Sequence, residues 1–383
     1  MNLSHKLTIQ LIRYEIAQIP VDQALLDSVT DDVLSLVYDF SVEQDVAYIV
    51  GCALNKLGLL SGDIKAAFFN EQLASVYRDE QFRHDADNIS KLLSDSRIAH
   101  ILLKGAVIKD IYPKSEMRTS CDIDILIKDN DLDMALEILY QDGYSYVSKT
   151  KHDVMLSSPS GTIIELHYTL NEYEFAADEV LNNAWDYAEK KAEYEYQFDT
   201  AFFTFYLVSH IARHMYTGGC GIRPFLDLKL VFEKMEFDKD NFNDLINKTS
   251  LTKFCDMALN LAELWFGECD DKNDDLQDFA NYVLNAGIYG NMTNKISVIN
   301  EKANSKTKYV RSIFFPSYNA MAERYTVLKN APYLLPVMYV SRWIEAVFKG
   351  RTSKGVQYLK ASSAVNGDKQ KEVTDLLKNL ELM

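Results

Sequence analysis

Two aspartates, Asp122 and Asp124, stand two apart in the run Asp-Ile-Asp-Ile-Leu-Ile (122–127). In a strand, successive side chains alternate, so both carboxylates share one face and Ile123, Ile125 and Ile127 share the other. Two carboxylates held close on a half-buried strand repel each other. A divalent cation offsets that cost, and oxygens at this spacing reach one Mg²⁺. A third carboxylate, Glu165, interrupts a second strand pattern, Thr-Ile-Ile-Glu-Leu-His-Tyr (162–168), and shares a face with Ile163 and His167. Upstream, Lys104-Gly105-Ala106 follows the apolar run 100–103, and Arg118 and Ser120 lie in the polar loop before Asp122. A lone D-x-D is most simply a solvent-facing strand edge. That plain alternative weakens when cations, a glycine turn and a third carboxylate surround it.

The spacing predicts the elements that must position these residues. Strands are expected at 100–103, 122–127, 144–148, 152–157 and 162–168, the last two joined by the turn signal Pro159-Ser160-Gly161. A helix over 131–142 should end at Gly143. Residues 4–95 read as helices throughout. The first stops near Pro20, and the second is capped by Thr30 or Asp31 and runs through Phe40. The third starts at Ser41 to Glu43, and a long helix covers 63–93 with Phe68, Leu73, Val76 and Tyr77 on its apolar stripe. Three regions follow: 1–98 helical, 99–190 with the sheet, and 191–383 helical. The fold class expected is α+β, mostly helical, with a small mixed β-sheet.

Composition narrows the setting. The chain has 383 residues, is 48% hydrophobic and carries a net charge of −16. That charge disfavours general nucleic-acid coating but allows a local basic site. Five cysteines without a C-x-x-C suggest reduced thiols and a cytoplasmic protein. No signal-peptide core and no run of 18 uncharged apolar residues is present, so no membrane span is expected.

The segments L-L-K-G-A (102–106), Y-P (112–113), R-x-S-x-D-I-D-I-L-I (118–127), G-Y (143–144) and E-L-H-Y (165–168) resemble the polymerase-β-type nucleotidyltransferase superfamily. They are closest to its bacterial branch of uncharacterised nucleotidyltransferases. H-I-A-R-H (210–214), G-I-R-P-F-L-D-L (221–228) and Phe-Pro-Ser (315–317) extend the likeness. The resemblance implies that Asp122 and Asp124 are metal ligands and Glu165 the third carboxylate. It also implies an NTP as substrate. One departure stands out: Gly105-Ala106 replaces the Gly-Ser of many members. Phosphate must then be held by backbone N–H groups at a helix N-terminus, or by Lys104, Arg118 or Ser120.

The chemistry expected is transfer of NMP from an NTP to an acceptor hydroxyl. It needs charge neutralisation, an activated hydroxyl and in-line geometry. The cofactor expected is Mg²⁺, with Mn²⁺ as substitute. Loss of one carboxylate, as in Asp124→Asn, should leave metal-free stability unchanged or slightly higher. The acceptor is left open: a small molecule, sugar, peptide, protein or RNA end. The alternative function is a catalytically inactive nucleotide- or partner-binding protein of the same fold.

The helical C-terminal region adds candidates. His210 and His214 lie four apart on an expected helix over 201–215, and with Arg213 they are nucleotide-binding candidates. A zinc reading lacks the Glu of H-E-x-x-H. Arg223 and Asp227 carry less weight, near a helix start at Pro224. Between Lys302 and Lys360 there are eleven basic and two acidic residues, +9 in a chain of −16. Part of that segment is expected to face the carboxylates, with Lys306, Lys308 and Arg311 foremost. Its aromatics also keep RNA open as a partner, and Tyr333 to Phe348 as a membrane-surface helix.

Overall fold

The computed structural model describes residues 1–171, 177–268, 273–287, 290–302, 314–348 and 367–383. Lys306, Lys308, Arg311, Lys349, Arg351, Lys354 and Lys360 lie outside the described residues.

The N-terminal helices are α1 (Leu3–Ala17), α2 (Gln23–Asp27), α3 (Asp31–Glu43), α4 (Ala47–Lys56) and α5 (Gly62–Asp95). Thr30 caps α3, its hydroxyl accepting from the Val33 N–H at 3.3 Å. The third helix starts later than the sequence suggests. Ser41 to Glu43 continue α3, and the left-handed Asp45 (φ 56°) makes the break before α4.

The expected stripe on α5 is also different. Phe68 is buried, but Leu73, Val76 and Tyr77 are exposed. The helix buries Ser75, Asp79, Phe82, Asp85, Ile89 and Leu93 instead. Two aspartates are tolerated there because each is paired. Asp79 Oδ1 accepts from Lys109 Nζ at 2.7 Å, and Asp85 Oδ2 accepts from the Ser158 hydroxyl at 3.1 Å.

The strands are β1 (His100–Leu102), β2 (Asp122–Ile127), β3 (Ser145–Lys149), β4 (Asp153–Ser157), β5 (Ile163–His167), β6 (Ala188–Lys190) and β7 (Glu195–Phe198). They form one mixed sheet in the order β3-β4-β5-β2-β1-β7-β6. The fold is α+β with helical flanks. The pairs β2–β5 and β1–β7 are parallel, and β1–β2 is antiparallel. β6 and β7 extend the sheet past the strands expected from sequence. They are short and lack a clean apolar alternation.

Alternation divides the sheet. Ile123, Ile125, Ile127, Ile164 and Leu166 pack with Phe82, Ile89 and Leu93 of α5 and with Leu132, Ala135 and Leu139. The last three belong to α7 (Leu132–Gln141). Burying each such side chain contributes about 1.5–3 kcal/mol. The larger core joins the N-terminal helices to α8 (Asp178–Leu181), α9 (Thr200–Thr217), α10 (Arg223–Lys234), α11 (Lys239–Asn247) and α12 (Thr252–Phe266). A one-residue slip of β2 would place Asp122 and Asp124 in the first of these cores, so register is strongly specified. Among the described residues, no helix is long and apolar enough to cross a membrane.

Candidate active site

β2 lies inside the sheet, between β5 and β1, rather than at an edge. Its polar face is therefore enclosed, and Asp124 is 4% exposed. In the parallel pairing Asp124 stands opposite Glu165, and Asp122 opposite Ile163. All three carboxylates thus rise from one sheet face. The ligand atoms of Asp124, Glu165 and His167 all lie within 4.8 Å of one another. Asp122 does not belong to that tight cluster. His167 was visible in the sequence as the neighbour of Glu165 on the same face, but only the pairing brings its ring onto Asp124.

Asp124 Oδ1 is the hub. It accepts from Lys104 Nζ at 2.7 Å and from His167 Nε2 at 3.0 Å. Burial alone would raise the Asp124 pKa; the Lys104 ammonium and His167 outweigh it and hold the carboxyl well below its ordinary range. Asp122 goes the other way. Burial, and then the Asp124 charge, push it up to about 6. For His167, desolvation favours the neutral ring, but its bonds to Asp124 and Glu165 prevail and raise its pKa.

Lys104, in the turn after β1, has an unusual backbone conformation, φ 41° and ψ −107°. Only glycine adopts a left-handed φ cheaply, so this turn holds strain. Gly105 is glycine for a different reason: a Cβ there would lie 2.5 Å from Ser120 Oγ and 3.0 Å from an Arg118 guanidinium nitrogen. The 118–120 loop packs directly on the turn. The helix after it is a single turn, α6 (Gly105–Ile108). Its N–H groups are largely used: Ala106 donates to Leu103 O at 3.1 Å, and Val107 to Lys104 O at 3.0 Å. The backbone cradle considered from sequence is thus mostly closed, which leaves phosphate to side chains.

Those side chains line a cavity of about 390 Å³ between the sheet face and helices α9 and α10. Lys104, Gly105, Arg118, Ser120, Asp122, Asp124, Glu165, His210, Arg213 and His214 all border it. Ala106 does not. It lines a separate cavity of about 430 Å³ beside α5, together with Phe82 and Lys109, whose lining includes none of Asp122, Asp124 and Glu165. The site cavity also includes His152, Asp153, Arg223 and Asp227. His152 and Asp153 were not legible as site residues, because a single His-Asp pair at a strand start has no distinguishing spacing.

Lys104, Arg118 and Arg223 each come with their own anion. Arg118 Nη2 lies 3.0 Å from Asp227 Oδ2, and Asp227 also accepts from the Tyr112 hydroxyl at 2.7 Å. Burial would lower the Arg118 pKa; Asp227 more than reverses this. Arg223 pairs with Asp45 and donates to Thr119 O at 3.1 Å. On α9, Arg213 Nη2 lies 2.7 Å from His210 Nδ1, and His210 Nε2 lies 2.9 Å from His214 Nε2. Arginine only donates, so His210 Nδ1 accepts and its Nε2–H donates to His214. Both rings are then neutral. Burial drives His210 well below its usual value, and burial with the Arg213 charge takes His214 down to about 3.

Oxygen donors plus one imidazole suit a hard or borderline divalent ion. The facing carboxylates of Asp124 and Glu165, with Asp122 beside them on the same sheet face, fit such an ion. The cluster could hold a metal at Asp124, Glu165 and His167. Comparison with curated proteins and with solved structures gives no match. A family model described as "Uncharacterised nucleotidyltransferase" matches residues 34–267, more than half of the chain and all of the cavity described above. A carboxylate cluster facing cations across a cavity is what such chemistry requires, and the chain belongs to this uncharacterised nucleotidyltransferase family.

Proposed function

We propose that the protein transfers NMP from an NTP to an acceptor hydroxyl, using Mg²⁺ or Mn²⁺ held by Asp124 and Glu165 with Asp122 beside them. The observation that carries this reading is the cross-strand pairing of Asp124 with Glu165, on a sheet face that opens into a cavity lined by Lys104, Arg118 and Arg213. The acceptor oxygen forms a bond to the α-phosphorus. The bond from that phosphorus to the oxygen bridging the β-phosphate breaks, and pyrophosphate leaves. A cation held by Asp124 and Glu165 would supply charge neutralisation on the triphosphate and make the acceptor hydroxyl easier to deprotonate. Glu165 receives the hydroxyl proton, being the more exposed carboxylate of the cluster. Lys104 and Arg213 bind phosphate oxygens, while Asp227 keeps the Arg118 guanidinium in plane against Ser120. The neutral His214 offers the base or sugar its Nδ1–H without added charge, while His210, bonded to Arg213 and His214, orients those two side chains.

The test is incubation with each α-labelled NTP, Mg²⁺ or Mn²⁺, and small-molecule, RNA and protein fractions of the host. Labelled product and released pyrophosphate are expected, and transfer from no NTP to any fraction overturns the reading in favour of an inactive binding protein. Within this reading, Glu165→Gln lowers the rate by roughly 10²-fold or more, the scale of acid–base groups. NTP affinity measured without metal should hardly change. A weakened affinity at an unchanged rate would make Glu165 a binding residue only.

A further inference from the structure

The Lys104–Asp124 pair raises a question of occupancy. Asp124 Oδ1 already receives two donors, Lys104 Nζ at 2.7 Å and His167 Nε2 at 3.0 Å. Both the lysine and the aspartate are largely buried, with side chains 13% and 5% exposed. An ammonium this close to a carboxylate oxygen lies within about 5 Å of any ion bound by the same carboxylate. Like charges at that distance, shielded from solvent, repel with little screening. Metal and lysine therefore compete for Asp124.

His167 is not the donor that yields. Its ring is buried on β5, whose pairing with β2 fixes it beside Asp124. Lys104 hangs on a flexible four-carbon stem from a turn that holds a left-handed φ of 41°. It also borders the cavity, next to Gly105, Arg118 and Ser120. A triphosphate there gives the displaced ammonium new oxygens to bind.

We propose that Lys104 is a resident counter-ion of Asp124, which a divalent cation displaces and the nucleotide triphosphate then receives, so that metal and nucleotide load together. The proposal rests on the nucleotidyl-transfer reading above. Metal alone must evict a paired lysine among carboxylates, Asp122 and Glu165, whose charge the ion itself draws on. Metal with nucleotide evicts it onto phosphate. The two ligands are therefore positively coupled, and by linkage each tightens the other equally. Lys104 acts here as a switchable phosphate ligand, not as an acid or base.

Mn²⁺ titration of the full-length protein tests this without turnover, by electron paramagnetic resonance or calorimetry. Three proteins are compared: wild type, Lys104→Met and Lys104→Gln. The glutamine retains a neutral donor to Asp124, which protects against a variant that merely misfolds. Without nucleotide, both variants should bind Mn²⁺ at least ~10-fold more tightly than wild type, a typical coupling for close charges. With an α,β-methylene NTP analogue, wild type should gain affinity for Mn²⁺ and both variants should gain much less. Equal Mn²⁺ affinity in wild type and variants without nucleotide overturns the proposal while leaving the transfer reading intact. Absence of Mn²⁺ binding in all three proteins, with and without every NTP analogue, overturns the transfer reading itself.

Discussion

Asp124→Asn abolishes transfer and also destabilises the metal-free protein, whereas Asp122→Asn stabilises it. The sequence alone suggests that removing either carboxylate relieves repulsion. The structure separates the two. Asp124 is the partner of Lys104 and His167, and it is held ionised by them. Its loss leaves a cation without a counter-charge, at a cost of about 3 kcal/mol, the low end for broken buried pairs because Lys104 can swing into the cavity. The loss of metal binding costs transfer roughly 10³-fold, since a Lewis-acid cation supplies several kcal/mol to the barrier. Asp122 has the opposite balance, its pKa pushed up to about 6 from an ordinary 3.8. Between those pH values the folded state binds more protons than the unfolded state, so stability falls as pH rises through the window and is level above it. After discounting for partial exposure, Asp122→Asn should restore about 2 kcal/mol at pH 7. Thermal unfolding in EDTA at pH 4.5 and pH 7, chosen to bracket the window ~4–6, measures both effects. Equal shifts for the two variants would refute this division of roles.

Asp227→Ala unfolds the protein more readily than any change to an exposed carboxylate. Asp227 holds Arg118 through two contacts, Nη2 at 3.0 Å and Nε at 3.4 Å, and takes the Tyr112 hydroxyl at 2.7 Å. All three residues are buried. Removing the aspartate strands a guanidinium and a hydroxyl, for a loss of about 3–5 kcal/mol. The double variant Arg118→Leu, Asp227→Leu should recover most of that stability, because no unpaired charge remains. It should not recover transfer, since Arg118 also orients Ser120. Urea unfolding of the two single variants and the double variant completes the cycle. If Asp227→Ala costs under about 1 kcal/mol, the value of an exposed pair, the network is not what holds the 118–120 loop against Gly105.

The sequence by itself determined the local pieces. Alternation in 122–127 and 163–167 assigned the carboxylates to one face of each strand, because strand geometry has period two and needs no partner to be read. Gly143 ended its helix as its left-handed φ of 89° requires. Pro224 began α10 because a helix start tolerates a missing N–H. Only the tertiary structure decided which charges meet. The β2–β5 register set Asp124 against Glu165, forty-one positions apart, a relation that no local periodicity carries. Lys104 and Arg118 looked like free phosphate ligands; long-range packing gave them Asp124 and Asp227 as partners. The polar burial on α5 has the same origin. Asp79 and Asp85 could turn inward only because Lys109 and Ser158 arrive there from elsewhere in the chain, while Leu73 and Tyr77 were left outside. A residue's own side chain states what it can bond. The fold decides whether that capacity is already used before a substrate arrives.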